Sequence, residues 1–393
     1  MNLLQANTKD GEQLTLALLS RNHIEWHRKH STFFCPICGE KVIIKAGQKV
    51  VPHFAHQSRS NCPNIKSGEG PYHEHGKLLL YKWLKKQQLP VRLEPFIREI
   101  SQRPDLILQW KNKRLAIEYQ CATISNNAVI HRNNGYYTSN IIPIWIFGAN
   151  QFQRLNQYSI KIKSFMKQCL LYLTPNPSLF FFCPLTNQIV TINDIFFTSS
   201  NKIIGKITFH KLYDIHLQQL FINKRLSPQK LQSLWKREKH KFRLNVRRRL
   251  YGMELAWHNW LYSKNIHFEL LPSVVYLPTT SQHLMKSQPW NWQSRICLDI
   301  IQPLPIGGKF TLKQCMKLLY PHLLLQTTSP LNQEIKHPVF QYLLLLDRLN
   351  IVKRVTVDQF IKVRSLTFYE NVKEALYDDH LIVKELFGKR RHE

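Results

Sequence analysis

The chain lacks any long apolar run. Its richest stretches, 141–147 and 179–183, fall far short of the ~20 residues a helix needs to cross a bilayer. Residues 1–19 carry Lys9, Asp10, Glu12 and Gln13 where a secretory leader would keep its apolar segment. The expectation is a cytoplasmic chain without a membrane span. Low-complexity segments are absent too, and hydrophobic residues make up 44%, which excludes a largely disordered chain.

Acidic residues are scarce. There are 25 Asp+Glu against 55 Lys+Arg in 393 residues, a formal net charge of +30. A molecule with that excess attracts polyanions. The basic residues are spread along the whole chain, which suits an extended surface that neutralises a phosphate backbone and releases its counterions. Without a membrane anchor, the expected polyanion is nucleic acid. The length suggests roughly two or three domains.

Cysteine is sparse but uneven. Of eight, Cys121, Cys169, Cys183, Cys297 and Cys315 stand singly in apolar contexts, as small core residues do. Cys35, Cys38 and Cys62 are clustered, and in a reducing compartment such a group points to metal rather than a disulfide. Cys35-Pro36-Ile37-Cys38-Gly39 has the form of a zinc knuckle. A hairpin from Val42 through a turn at 46–48 would return His53-Phe54-Ala55-His56 to it. Cys35, Cys38, His53 and His56 then supply the four ligands of a structural zinc. Cys62 is a fifth candidate, able to displace one histidine.

Periodicity divides the rest. Residues 1–70 read as a β-hairpin, its turn at Asp10-Gly11, and a zinc-ribbon-like module. From Tyr72 a helix runs to about Gln88, stopped by Pro90. Strand-like runs follow at Val91–Ile97, Pro104–Trp110 and Leu115–Cys121. A helix capped by Ser125 comes next, then the nearly all-apolar Ile142–Phe147, which reads as a strand buried on both faces. Residues 71–150 thus form one α/β unit ordered helix, three strands, helix, strand. Residues 151–226 mix strands and short helices. Residues 227–393 read as basic and mostly helical, with strand-like, Pro-rich pieces up to Gly308 and amphipathic helices over 312–387.

The acidic residues that do occur make a pattern. They sit in Arg103-Pro104-Asp105 and Ile117-Glu118-Tyr119-Gln120. A hairpin turning over 111–114 would oppose Asp105 to Gln120 and Ile107 to Glu118. Alternation then places Asp105, Glu118 and Gln120 on one sheet face. Two carboxylates that close need a cation between them. Mg²⁺ or Mn²⁺ fits oxygen ligands and can activate water against a phosphate. Glu74, on the preceding helix, is a further ligand candidate, and His73 and Lys77 share one face beside it. Arg132 is a candidate phosphate contact.

Asp, a gap, then Glu-x-Lys on the next strand is the PD-(D/E)xK signature, and the element order is that of a restriction-endonuclease-like core. Gln120 stands in the lysine position, where it can hydrogen-bond but carries no charge. Farther on, Lys236 to Arg243 and Arg247, Arg248 and Arg249 are interleaved with Trp235, Phe242, Tyr251, Trp257 and Trp260. Cations that track a backbone beside rings that stack on bases suit single-stranded DNA. The three arginines are the expected DNA contacts; the aromatics read as a core stripe.

Together, Cys35-x-x-Cys38, His53-Phe-Ala-His56, Glu74-His75-Gly76-Lys77, Trp83-Leu84, Arg103-Pro-Asp105, Glu118-Tyr-Gln120, and Arg132 to Tyr136 leading into Pro143 to Phe147 resemble the competence protein CoiA family. Residues 30–150 carry the resemblance. It implies a cytosolic bacterial protein of natural transformation that acts on incoming DNA, alongside recombination proteins. It also implies a nuclease-like domain in which glutamine in the Glu-x-Gln position is usual. Gln120 equally suits a non-catalytic DNA-binding accessory protein on a nuclease-derived scaffold.

Overall fold

The structure is a computed structural model that describes residues 3–47, 51–57, 62, 70–172, 176–222, 224–245, 249–324 and 337–388. The expected N-terminal hairpin is present: β1 (Gln5–Thr8) and β2 (Gln13–Thr15) flank a turn with Gly11 at φ 83°. After α1 (Arg21–His30), capped by Ser20, come β3 (Phe33–Phe34), β4 (Lys41–Lys45) and β5 (His53–His56). The five strands form one sheet in the order β2-β1-β3-β4-β5. Leu3, Leu16, Ile24, Phe33 and Phe54 fill its core.

The central elements follow in the expected order. They are α2 (Pro71–Lys86), β6 (Val91–Leu93), β7 (Leu106–Trp110), β8 (Lys113–Gln120), α3 (Asn126–Thr138) and β9 (Ile141–Gly148). Every residue of β9 is buried, because α2 and α3 cover opposite faces of the sheet. Alternation along β8 sets what each helix meets. Leu115, Ile117 and Tyr119 pack with Leu80, Trp83 and Leu84 of α2. Ala116 packs with Tyr136 of α3.

The β7–β8 hairpin differs from expectation in register. Its turn holds two residues, Lys111 and Asn112, with Lys111 left-handed at φ 53°. Ile107 therefore opposes Ala116, and Leu106 opposes Ile117. The slip from the expected pairing is even, so each side chain keeps its face.

The stretch that periodicity left mixed continues the same sheet. It contributes β10 (Gln153–Asn156), β11 (Ser159–Lys161), β12 (Leu179–Cys183), β13 (Gln188–Ser199) and β14 (Lys202–Lys211). The nine strands run β10-β11-β14-β13-β12-β9-β8-β7-β6, parallel only across β8-β9-β12.

The remainder is largely helical: α4 (Leu217–Leu220), α5 (Pro228–Leu244), α6 (Gly252–Tyr262) and α7 (Pro289–Arg295). Then follow β15 (Lys309–Thr311), α8 (Leu312–Leu319), α9 (Pro338–Arg348), β16 (Val352–Arg354), β17 (Gln359–Lys362) and α10 (Val372–Gly388). Helices alone were expected over 312–387, yet β16 and β17 lie there and join β15 in a small sheet. Strands of three or four residues are too short to display an alternation. Trp235, Trp257, Trp292 and Tyr342 anchor one large core. Among the described residues no helix is long and apolar enough to cross a membrane.

Candidate functional site

Asp105 lies just before Leu106, the first residue of β7, which pairs with Ile117 of β8, and its carboxylate meets α2. Its side chain is 13% exposed. Its Oδ2 accepts a hydrogen bond from the Tyr119 N–H at 2.8 Å. Two residues one turn apart on α2 also reach it: His73 Nε2 at 3.5 Å from Oδ2 and Lys77 Nζ at 3.7 Å from Oδ1. The His73 ring stacks on Tyr119. Glu74, in the first turn of α2, is buried.

Glu118 is buried on the α3 side of the sheet. Its Oε1 accepts from Arg132 Nε at 3.1 Å, from Arg132 Nη2 and from the Tyr136 hydroxyl. Burial pushes its carboxyl up from the ordinary range; Arg132 opposes that shift, and the Asp105 carboxylate adds to it. Arg132, expected at a phosphate, instead turns inward, with its Nη2 also donating to the Arg103 carbonyl at 3.1 Å. A guanidinium on α3 facing a buried carboxylate is held there, because either charge alone would be costly to bury. Gln120 shares the face of Glu118, and its Nε2 donates to the Ala122 carbonyl at 2.9 Å.

Sequence reasoning missed Glu94. It holds the left-handed region at φ 45°, and its N–H donates to the Asp105 carbonyl at 2.8 Å. Its carboxylate takes Lys77 on Oε1 and Arg103 Nη2 on Oε2, the latter at 2.9 Å. No sequence period marks residue 94; only the left-handed turn after β6 brings it in. Three buried or nearly buried carboxylates, Glu94, Asp105 and Glu118, are thus linked at one end of β7 and β8.

The N-terminal cluster is assembled differently from expectation. Ligand atoms of Cys35, Cys38, His56 and Cys62 all lie within 4.8 Å of one another. Cys38 Sγ is 3.2 Å from His56 Nε2. His53 stands outside the group, and its Nδ1 meets the Val51 carbonyl at 2.9 Å. The reason is the strand period: residues three apart on β5 point to opposite faces, so His53 and His56 do not converge. Cys62 takes the fourth place. Burial pushes the Cys35 thiol up to about 12 and the His56 imidazole down from its usual value. Neutral imidazole is the form that binds a metal, and a bound cation would hold the thiols ionised. Three thiols and one imidazole suit a structural zinc.

Of the expected DNA contacts, Arg247 and Arg248 lie outside the described residues, and Arg249 is exposed. The preceding run divides by helical period. Lys236, Arg237, His240 and Lys241 face outward. Lys239 and Arg243 are buried on Asp379 of α10. Trp235, Phe242 and Trp257 are buried core, whereas Tyr251 is 82% exposed.

Family models described as the competence protein CoiA N-terminal, nuclease-like and C-terminal domains match residues 16–64, 69–225 and 228–376. The competence protein CoiA of Bacillus subtilis (strain 168) is 30% identical over 285 residues, covering 72% of this chain and 74% of that protein. No solved structure matches the chain. The chain belongs to the competence protein CoiA family.

Proposed function

We propose that this chain is a metal-dependent DNA-processing protein of natural transformation, with a restriction-endonuclease-like PD-(D/E)xK core over 71–150. The observation that carries the reading is the nearness of Asp105, just before β7, to Glu118 on β8, both shielded from water and Asp105 helping to raise the Glu118 carboxyl. The family's nuclease-like match over these residues supports it. In this reading residues 1–70 form the zinc-ribbon-like module, 151–226 extend the core, and 227–393 are a basic DNA-holding region.

Asp105 and Glu118 would hold Mg²⁺ or Mn²⁺, with Glu74 assisting. Such an ion supplies Lewis acidity toward a scissile phosphate and a bound water. Arg132 and Tyr136 fix the Glu118 carboxylate, and the Tyr119 N–H fixes Asp105. Gln120, steadied through Ala122, would orient the attacking water by hydrogen bonding. Arg249, with Arg247 and Arg248, would track single-stranded DNA, and recombination proteins are the partners expected. Zinc at Cys35, Cys38, His56 and Cys62 would be structural, since protein donors fill all four positions.

The test is cleavage of labelled single- and double-stranded DNA with Mg²⁺, Mn²⁺ or EDTA. Cleavage should need metal, and Asp105→Asn should lower it by at least ~100-fold while DNA binding persists. Equal cleavage by the variant would remove the site assignment. A second reading, a non-catalytic DNA-binding accessory protein, is favoured by Glu118 already facing Arg132 and by uncharged Gln120. Tight binding without cleavage under any metal would select it.

A further inference from the structure

We propose that Lys77, reaching down from α2, supplies the positive charge that residue 120 does not supply from the strand. This rests on the nuclease reading above and adds a residue to it.

Hydrolysis of a phosphodiester builds negative charge, and a fixed cation beside the metal ligands stabilises it. Gln120 carries no charge, and its amide is engaged with Ala122. Arg132 contacts Glu118, and Arg103 contacts Glu94. Lys77 contacts Asp105 itself, at 3.7 Å from Oδ1, beside His73 at 3.5 Å from Oδ2. Its side chain is 1% exposed, so the position is built and not incidental. A buried ammonium survives only when paired.

The surroundings fix where that ammonium sits. Glu94 holds it from one side and is itself held by Arg103 and by its N–H to Asp105. Gly76, the preceding residue, lies against the Tyr119 ring so closely that a Cβ there would collide with it. α2 therefore approaches β8 as near as a helix can, with Lys77 next along. His73, one turn earlier, meets the other oxygen of Asp105. Its ammonium acts through the Glu94 and Asp105 carboxylates it contacts, so Lys77 is a positioning residue. A purely structural lysine would merely neutralise Glu94, and its loss would be felt in folding and metal binding together.

The experiment compares wild type, Lys77→Met, Asp105→Asn and the double variant Lys77→Met with Gln120→Lys. It measures metal-dependent cleavage, Mn²⁺ affinity and thermal midpoint on the zinc-loaded full chain. Lys77→Met should lose ~100-fold or more in cleavage. It should keep Mn²⁺ affinity equal or tighter, since a competing cation is gone. Restoring a lysine at 120 should regain at least tenfold. Three results would overturn the inference. Lys77→Met could cleave within threefold of wild type while Asp105→Asn fails, which would leave the nuclease reading standing. Lys77→Met could lose Mn²⁺ as Asp105→Asn does, which would make Lys77 a support for the carboxylates only. Wild type could fail to cleave with any metal, which would remove the reading and this role together. If Lys77→Met does not fold, the uncharged Lys77→Gln takes its place with the same criteria.

Discussion

At the scale of single residues, the metal cluster makes the sharpest distinction. His53 and His56 look equivalent in the sequence, but strand geometry sends one to the Val51 carbonyl and the other to Cys38. The purified chain should carry one zinc. Cys62→Ser should lose it, while His53→Ala should retain it, as measured by metal content. Retention in the first or loss in the second would restore the two-histidine arrangement. The acidic residues stood out by their motifs, but alternation did not settle their surroundings: Asp105 lies just before β7 and meets α2, whereas Glu118 faces α3. Lys77 and Glu94 were not legible as partners, since a helix's position over a sheet leaves no period in the sequence. Arg132 shows the same gap. An arginine on a helix reads as available to phosphate, and only packing reveals that it faces Glu118.

At the scale of elements, long and strongly patterned segments were readable and short ones were not. α2, α3 and the all-apolar β9 follow their patterns. β15, β16 and β17 are too short to have one. The seam between the nine-stranded sheet and the helical half depends on buried polar side chains. His283 sits between Phe197 and Tyr172, bonded to the Tyr172 hydroxyl. Burial first, then Lys167, lowers its imidazole to about 3 from 6.5. The folded chain therefore resists a proton that the unfolded chain accepts. The stability His283 contributes is fully present above about 6.5 and is lost as pH drops toward 3. His283→Gln should flatten that part of the profile in denaturant melts at successive pH values. An unchanged profile would mean that other groups set the acid limit.

At the scale of the whole molecule, a formal charge of +30 is the dominant fact. It predicts DNA affinity that falls steeply with salt, whatever the sequence of the DNA. Replacing Arg247, Arg248 and Arg249 with alanine should weaken binding and reduce the salt slope by up to about one for each phosphate that is no longer neutralised. A variant with the wild-type slope would place the DNA on another face. Lys239 and Arg243 do not belong to that surface, for they join α5 to Asp379 of α10. Composition alone made the basic character plain; how it divides between a DNA surface and an internal brace needed the fold.

The central claim is that Asp105 and Glu118 form a divalent-cation site. Calorimetric titration of Mn²⁺ into the zinc-loaded chain tests it most directly. One Mn²⁺ per chain should bind, and none to Asp105→Asn or Glu118→Gln, with zinc content unchanged. A wild-type chain that takes up no Mn²⁺, or variants that bind it equally well, would contradict it.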